Sequence, residues 1–161
     1  SFDAWCYHPQ LPEVAELARA CPDTKIILNH LGGVIGIGPY ADKQDEVFSQ
    51  WKSDYAALGE CTNVLGKIGG LAQGVNGRGW ENRDLPPTSD EIAEDQRPYY
   101  LHAIESLGPD RCMFESNFPV EKESVSYHVL YNAFKKIAAD FTEAEKDDLF
   151  RQTAIRAYQL A

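Results

Sequence analysis

The chain has 161 residues, 43% of them hydrophobic, and a formal net charge of -10. That is enough for one domain with a sizeable core, and it excludes a disordered chain. The acidic balance argues against nucleic acid or an anionic membrane as the main partner. The longest apolar run, Ile26 to Ile37, is broken by Asn29, His30 and three glycines, so no stretch reads as a membrane span. No secretory signal pattern is present. The four cysteines, Cys6, Cys21, Cys61 and Cys112, form no CxxC pair. They read as buried, reduced thiols of a cytoplasmic protein and not as a thiolate zinc site. The chain opens on Ser1-Phe-Asp-Ala-Trp, already strand-like and without an initiator Met, which suggests a cut through a longer protein.

The first strand candidate is Phe2–Cys6, with Phe2, Ala4 and Cys6 suited to packing under helices and Asp3, Trp5 and Tyr7 facing the other way. A helix is expected over Leu11–Cys21, with Pro12 in its first turn and Val14, Leu17, Ala18 and Cys21 at helical spacing. Lys25–Asn29 reads as the second strand and is followed by a long loop, Gly32–Lys43. The next helix, Asp45–Leu58, carries Val47, Phe48, Trp51, Tyr55 and Leu58 on one face. Asn63–Ile68 is the third strand, and a second long loop, Gly69–Pro87, follows it. Thr88 and Glu91 form a capping box for a helix over Ser89–Leu107. Arg111–Glu115 is the fourth strand. Ser124–Phe141 places Leu130, Phe134, Ile137 and Phe141 on one stripe, and Thr142 with Glu145 opens a last helix.

Strands alternating with helices in this way predict an α/β fold with a parallel sheet and right-handed crossovers. Four such units amount to the half of a (β/α)8 TIM barrel, whose full length is about 250 residues. A small open doubly wound sheet is the alternative. In either case active sites are built at the carboxyl ends of the strands. Two strands end there on chemically able residues and then break: His30 before Gly32-Gly33, and Asn117 before Pro119. His30 suits metal binding or proton transfer, against the plainer reading of a core histidine. Glu115 shares a strand face with Asn117 one layer lower, and Lys67 lies at a similar depth on the third strand. A buried carboxylate needs a partner, so Glu115 and Lys67 are expected to pair under the pocket. Trp5 is expected to wall the pocket. His8 and Gln10 follow at the same rim, His8 either touching substrate or holding the turn at Pro9. The Gly69–Pro87 loop supplies Arg78, Trp80 and Arg83, either as a mobile substrate flap or as a surface excursion.

Other motifs are set aside. His102 and His128 fall within helices without partners at metal spacing. Gly36-Ile-Gly-Pro-Tyr-Ala matches G-x-G-x-x-A, yet Pro39 and the lack of a helix opening there speak against a dinucleotide site. No P-loop or Gly-x-Ser-x-Gly elbow occurs, so no nucleotide cofactor is expected.

At Tyr7-His-Pro-Gln-Leu-Pro, Leu28-Asn-His-Leu-Gly, Gly36-Ile-Gly-Pro-Tyr-Ala and Cys112-Met-Phe-Glu-Ser-Asn-Phe-Pro-Val the chain resembles the amidohydrolase-related family of metal-dependent TIM-barrel hydrolases. The branch it is most similar to holds 2-pyrone-4,6-dicarboxylate lactonase and sugar lactonases. The terminal Thr153-Ala-Ile-Arg-Ala-Tyr-Gln-Leu resembles the family's closing helix. The resemblance implies strands five to eight of the barrel, residues 1–161 forming one partial domain that needs the amino-terminal half and is prone to pair as a homo-oligomer. It implies a hydrolase acting on a lactone, amide or related small carbonyl compound, with a metal-dependent decarboxylase or a non-catalytic ligand binder as alternatives. His30 would be the strand-six histidine, a ligand of a divalent metal (Zn or Mn) or a contact to the substrate carbonyl. Asn117 stands where many members carry the strand-eight Asp. An amide is no base at neutral pH and a weaker metal ligand than a carboxylate, so Glu115 or His8 is left to move the proton.

Overall fold

A computed structural model of the protein describes residues 1–160. The elements run β1 (Phe2–Ala4), α1 (Leu11–Ala20), β2 (Ile26–Leu28), α2 (Gln44–Gly59), β3 (Val64–Ile68), α3 (Ser89–Leu107), β4 (Cys112–Phe114), α4 (Tyr127–Ile137), α5 (Glu143–Asp147) and α6 (Thr153–Tyr158). The four strands form one parallel sheet in the order β1-β2-β3-β4, paired Asp3 with Ile27, Ile27 with Leu65, and Lys67 with Met113. The alternation read from the sequence is therefore the alternation found. No helix among the described residues is long and apolar enough to cross a membrane.

β1, β2 and β4 stop short of the expected Cys6, Asn29 and Glu115, whereas β3 ends at Ile68 as expected. His30 and Leu31 take left-handed backbone angles (φ 57° and 53°), as does Asn117 (φ 48°), a conformation that no strand can contain. One face of the sheet packs under the helices: Ala4, Ile26, Leu28, Val64, Ile68, Cys112 and Phe114 join the main core with Trp51, Tyr55, Tyr100 and Phe134. The opposite face carries a smaller apolar layer, Ile27, Leu65 and Met113, covered by Ala154 and Ala157 of α6. Lys25 Nζ donates to the Arg156 carbonyl at 3.0 Å, and Arg156 Nη2 to the Asp110 carbonyl at 3.0 Å. Both bonds tie α6 to residues that precede strands, so this helix closes the end of the sheet opposite the rim.

The structure corrects three details. On α1 the buried stripe is Leu11, Val14, Ala15 and Ala18; Leu17 is 40% exposed, and Cys21, at the helix end, is exposed as well. Spacing at i, i+3, i+4 and i+7 from Leu11 leaves both outside the stripe. The other three cysteines are buried and free, and burial raises the Cys6 thiol to about 11. The helix expected over Ser124–Phe141 is α4, Tyr127–Ile137, because the Ser126 hydroxyl caps the Val129 N–H at its start. Phe2 is half exposed at the sheet edge, while Ala4 and Cys6 are buried as expected.

Candidate active site

The carboxyl ends of β2, β3 and β4 bring His30, Lys67 and Glu115 together. Glu115 Oε1 accepts the His30 backbone N–H at 2.9 Å and lies 2.5 Å from His30 Nδ1. Both side chains are largely buried, 15% and 13% exposed. One carboxylate oxygen thus fixes both the backbone and the ring of the same histidine. Its other oxygen stands 3.9 Å from Lys67 Nζ, which is nearer to Asp3 Oδ2 at 3.4 Å. Asp3 in turn accepts from the Tyr158 hydroxyl at 3.0 Å. The ion pair expected between Lys67 and Glu115 is present, as one link of a chain running Tyr158–Asp3–Lys67–Glu115–His30.

Sequence explains why this pair can form. The turn after β3 is Gly69-Gly70. A Cβ on Gly70 would stand 2.7 Å from His30 Cβ and 3.0 Å from its Cγ, and one on Gly69 would stand 2.5 Å from Glu115 Cγ. Any side chain there would displace one member of the pair. From the other side, Trp51 of α2 donates its indole N–H to the Leu31 carbonyl at 2.7 Å, both residues fully buried. This bond holds the left-handed His30–Leu31 turn, a strained conformation of the kind that persists only where surroundings over-determine it.

Asn117 sits in the second left-handed turn, followed by the cis bond Phe118–Pro119. Its carbonyl accepts the Glu121 N–H at 3.3 Å. The expected strand alternation stops at Phe114, so Asn117 belongs to this turn and not to a strand layer above Glu115.

The remaining candidates scatter. Trp5 is 60% exposed with its ring edge-on to Tyr7 at 5.0 Å. His8 is buried, its Nδ1 accepts the Ile35 N–H at 3.2 Å and its ring meets Tyr40. Burial lowers its pKa, against opposing effects of the Asp54 charge and the Gly33 backbone. The bond of His8 reaches the loop after β2 and not the turn at Pro9. Gln10 turns back to accept the Tyr7 N–H at 3.1 Å. Arg78 is committed to Asp95 on α3 and to the rings of Trp80 and Tyr99, 5.7 and 5.9 Å away. Its polar neighbours are on α3 because its guanidinium, mostly buried, needs a carboxylate there. Trp80 and Arg83 do line a cavity of about 440 Å³ with Pro86, Phe118, Lys122 and Tyr127, between the loop after β3 and the loop after β4. Arg83 also bonds Glu91 Oε1 at 3.0 Å. His102 is structural, its ring bonded to the Lys52 carbonyl at 2.8 Å, and His128 is exposed on α4.

The parallel sheet, its rim of strand ends and a carboxylate-held histidine define a class of α/β domain with a site at the strand termini. A family model for amidohydrolases matches residues 1–160, and the chain belongs to that family. It is 39% identical over 160 residues to the uncharacterized protein y4mH of Sinorhizobium fredii, covering 99% of this chain and 47% of the relative. It is 25% identical over 161 residues to an L-fucono-1,5-lactonase of Burkholderia multivorans, covering 99% and 51%. Among solved structures, an amidohydrolase of Burkholderia multivorans with bound zinc superposes with a TM-score of 0.83 at 22% identity, over 99% of this chain and 52% of the other. The chain spans about half the length of the curated relatives it matches.

The zinc in that neighbour makes the donor set here a fair test. Among the described residues no three His, Cys, Asp or Glu side chains are grouped to hold a metal. His30 has Nδ1 engaged by Glu115 and offers one nitrogen, Nε2. A protein zinc site takes three or four ligands, so the described residues do not by themselves complete one around His30.

Proposed function

We propose that the chain forms strands five to eight of a (β/α)8 barrel and supplies the proton-transfer half of a hydrolase acting on a lactone or related ester. The 2.5 Å approach of His30 Nδ1 to Glu115 Oε1 carries this reading. A carboxylate that accepts from Nδ1–H selects the tautomer with a lone pair on Nε2 and holds the ring still. Nε2 has no hydrogen-bond partner among the described residues. It takes the proton of a water as the water oxygen bonds to the substrate carbonyl carbon. When the tetrahedral adduct collapses and the ring C–O bond breaks, Nε2 returns that proton to the departing oxygen. Asn117 cannot serve as the base, but its amide N–H is suited to the oxyanion that forms meanwhile. The cavity walled by Trp80, Phe118 and Tyr127 takes the apolar part of the substrate, with Arg83 and Lys122 at its edge. The lactonase relative supports the choice of a cyclic ester.

The test is hydrolysis of a panel of sugar lactones, followed by acid release, with the full-length protein and its His30→Asn variant. Loss of the base is expected to lower the rate by about 10²- to 10⁴-fold. Full activity in His30→Asn would end this reading.

A further inference from the structure

Glu121 has no place in the chemistry above, yet it is fully buried. It lies four residues beyond Asn117, in the turn Val120–Glu123. Its carboxyl Oε1 accepts the Ala72 N–H at 2.6 Å, a bond from the loop after β4 to the loop after β3. Its own backbone is pinned at both ends: its N–H donates to the Asn117 carbonyl, and its carbonyl accepts from Ser124 and Val125 at 3.0 Å each. The turn it grips is the one that abuts the candidate site. Gly70 packs against His30 and Gly69 against Glu115, closely enough that neither tolerates a Cβ. Leu71 and Ala72 are buried behind them, so the turn has no room to retreat.

The surroundings of the carboxyl favour its neutral form. Burial pushes its pKa up to about 8; the Ala72 N–H pulls the other way, the Glu115 charge adds to the rise, and Arg78 opposes it. From α3 it faces the Tyr100 hydroxyl, whose pKa burial and Glu121 both raise. Glu121 Oε2 and the Tyr100 hydroxyl are buried without hydrogen-bond partners among the described residues. A carboxyl kept here is expensive compared with an apolar side chain of similar size, and what it achieves is the single bond to Ala72.

We propose that Glu121 is a positioning residue that sets the orientation of the His30 ring through the Gly70–Ala72 turn. It acts on the ring through Gly70 while Glu115 meets Nδ1 directly, and it links the two left-handed strand ends, at His30 and at Asn117, into one unit. The proposal rests on His30 being the working group of the site, and its test reads the ring itself, so that the two can fail separately.

The experiment is ring-nitrogen NMR of His8, His30, His102 and His128 in the full-length protein, each assigned by its own His→Asn variant. Glu121→Gln keeps an acceptor for Ala72 and is expected to leave the His30 nitrogen shifts in place. Glu121→Leu removes the acceptor and is expected to shift them, with His8, His102 and His128 unmoved. If the Leu variant does not fold, Glu121→Asp, which withdraws the carboxyl by one methylene, is expected to give the same selective shift. Unmoved His30 signals in the folded Leu or Asp variant overturn the proposal, as does an equal movement of all four histidines. If His30→Asn retains full lactone hydrolysis while Glu121→Leu shifts the His30 ring, the functional reading falls and the positioning role stands.

Discussion

Replacing Glu121 by Gln should change how stability depends on pH. The carboxyl has a pKa of about 8 in the fold against an ordinary 4.5. Between these values the unfolded chain has released the proton and the folded chain still holds it, so stability falls as pH rises from 4.5 to about 8 and levels off above. The full gap corresponds to roughly 5 kcal/mol, at about 1.4 kcal/mol per pH unit, an upper limit that local relaxation reduces. A third of it is still measurable by denaturant titration. The amide introduced by Glu121→Gln is neutral throughout and keeps an oxygen for the Ala72 N–H, so the variant's curve lacks this slope. The buried His8, whose pKa is lowered, gives the opposite slope below about 6.5, but it does so in both proteins and cancels in the comparison. Urea unfolding of the two proteins at intervals from pH 5 to 9 therefore shows the variant gaining on the wild type as pH rises. Parallel curves across that range would refute a buried, uncharged Glu121.

Glu115→Gln removes the carboxylate that orients His30 and is expected to lower lactone hydrolysis by about 10- to 100-fold; an unchanged rate would remove Glu115 from the site. Trp51→Phe leaves the buried Leu31 carbonyl without its indole donor, which costs about 1–3 kcal/mol, read as a lower urea midpoint. A loss below about 0.5 kcal/mol would mean that the bond does not hold the His30 turn. Asn117→Asp is expected to leave hydrolysis unchanged or slower, since His30 already serves as the base. Activity that appears only in the Asp variant would instead identify the natural chain as a binder.

The helices were legible because their signals are local. The Thr88–Glu91 box fixed α3 to its first residue, and the 3.6-residue spacing of Val47, Trp51, Tyr55 and Leu58 marked the buried face of α2. Alternation gave the parallel sheet but not the order of its strands, which the doubly wound alternative left open. Strand ends were overextended by a residue or two, at Cys6, Asn29 and Glu115, because extended residues at a strand end look the same in sequence whether or not they join the ladder. The Lys67–Glu115 link was readable from register and the cost of burying charge. That Glu115 reaches His30 was not, since it depends on a contact between residues 85 positions apart. Arg78 and Gln10 read as substrate ligands because a sequence shows a cation or an amide but not the Asp95 or Tyr7 that already engages it. Glu121 carried no signal: in Val120-Glu-Lys-Glu-Ser it is indistinguishable from the solvated Glu123 beside it.

The layer formed by Ile27, Leu65 and Met113 has a consequence for synthesis. Its cover, Ala154 and Ala157, belongs to α6, and the Asp3–Tyr158 bond joins residues 155 positions apart. On the ribosome the strands emerge in order, but Ile27, Leu65 and Met113 lack this cover until α6 follows. At about 5–20 residues per second the delay after Ile27 is on the order of 10 s. A stop codon placed just before α6 would make that exposure permanent, so this short helix weighs more on solubility than on the chemistry at the opposite rim.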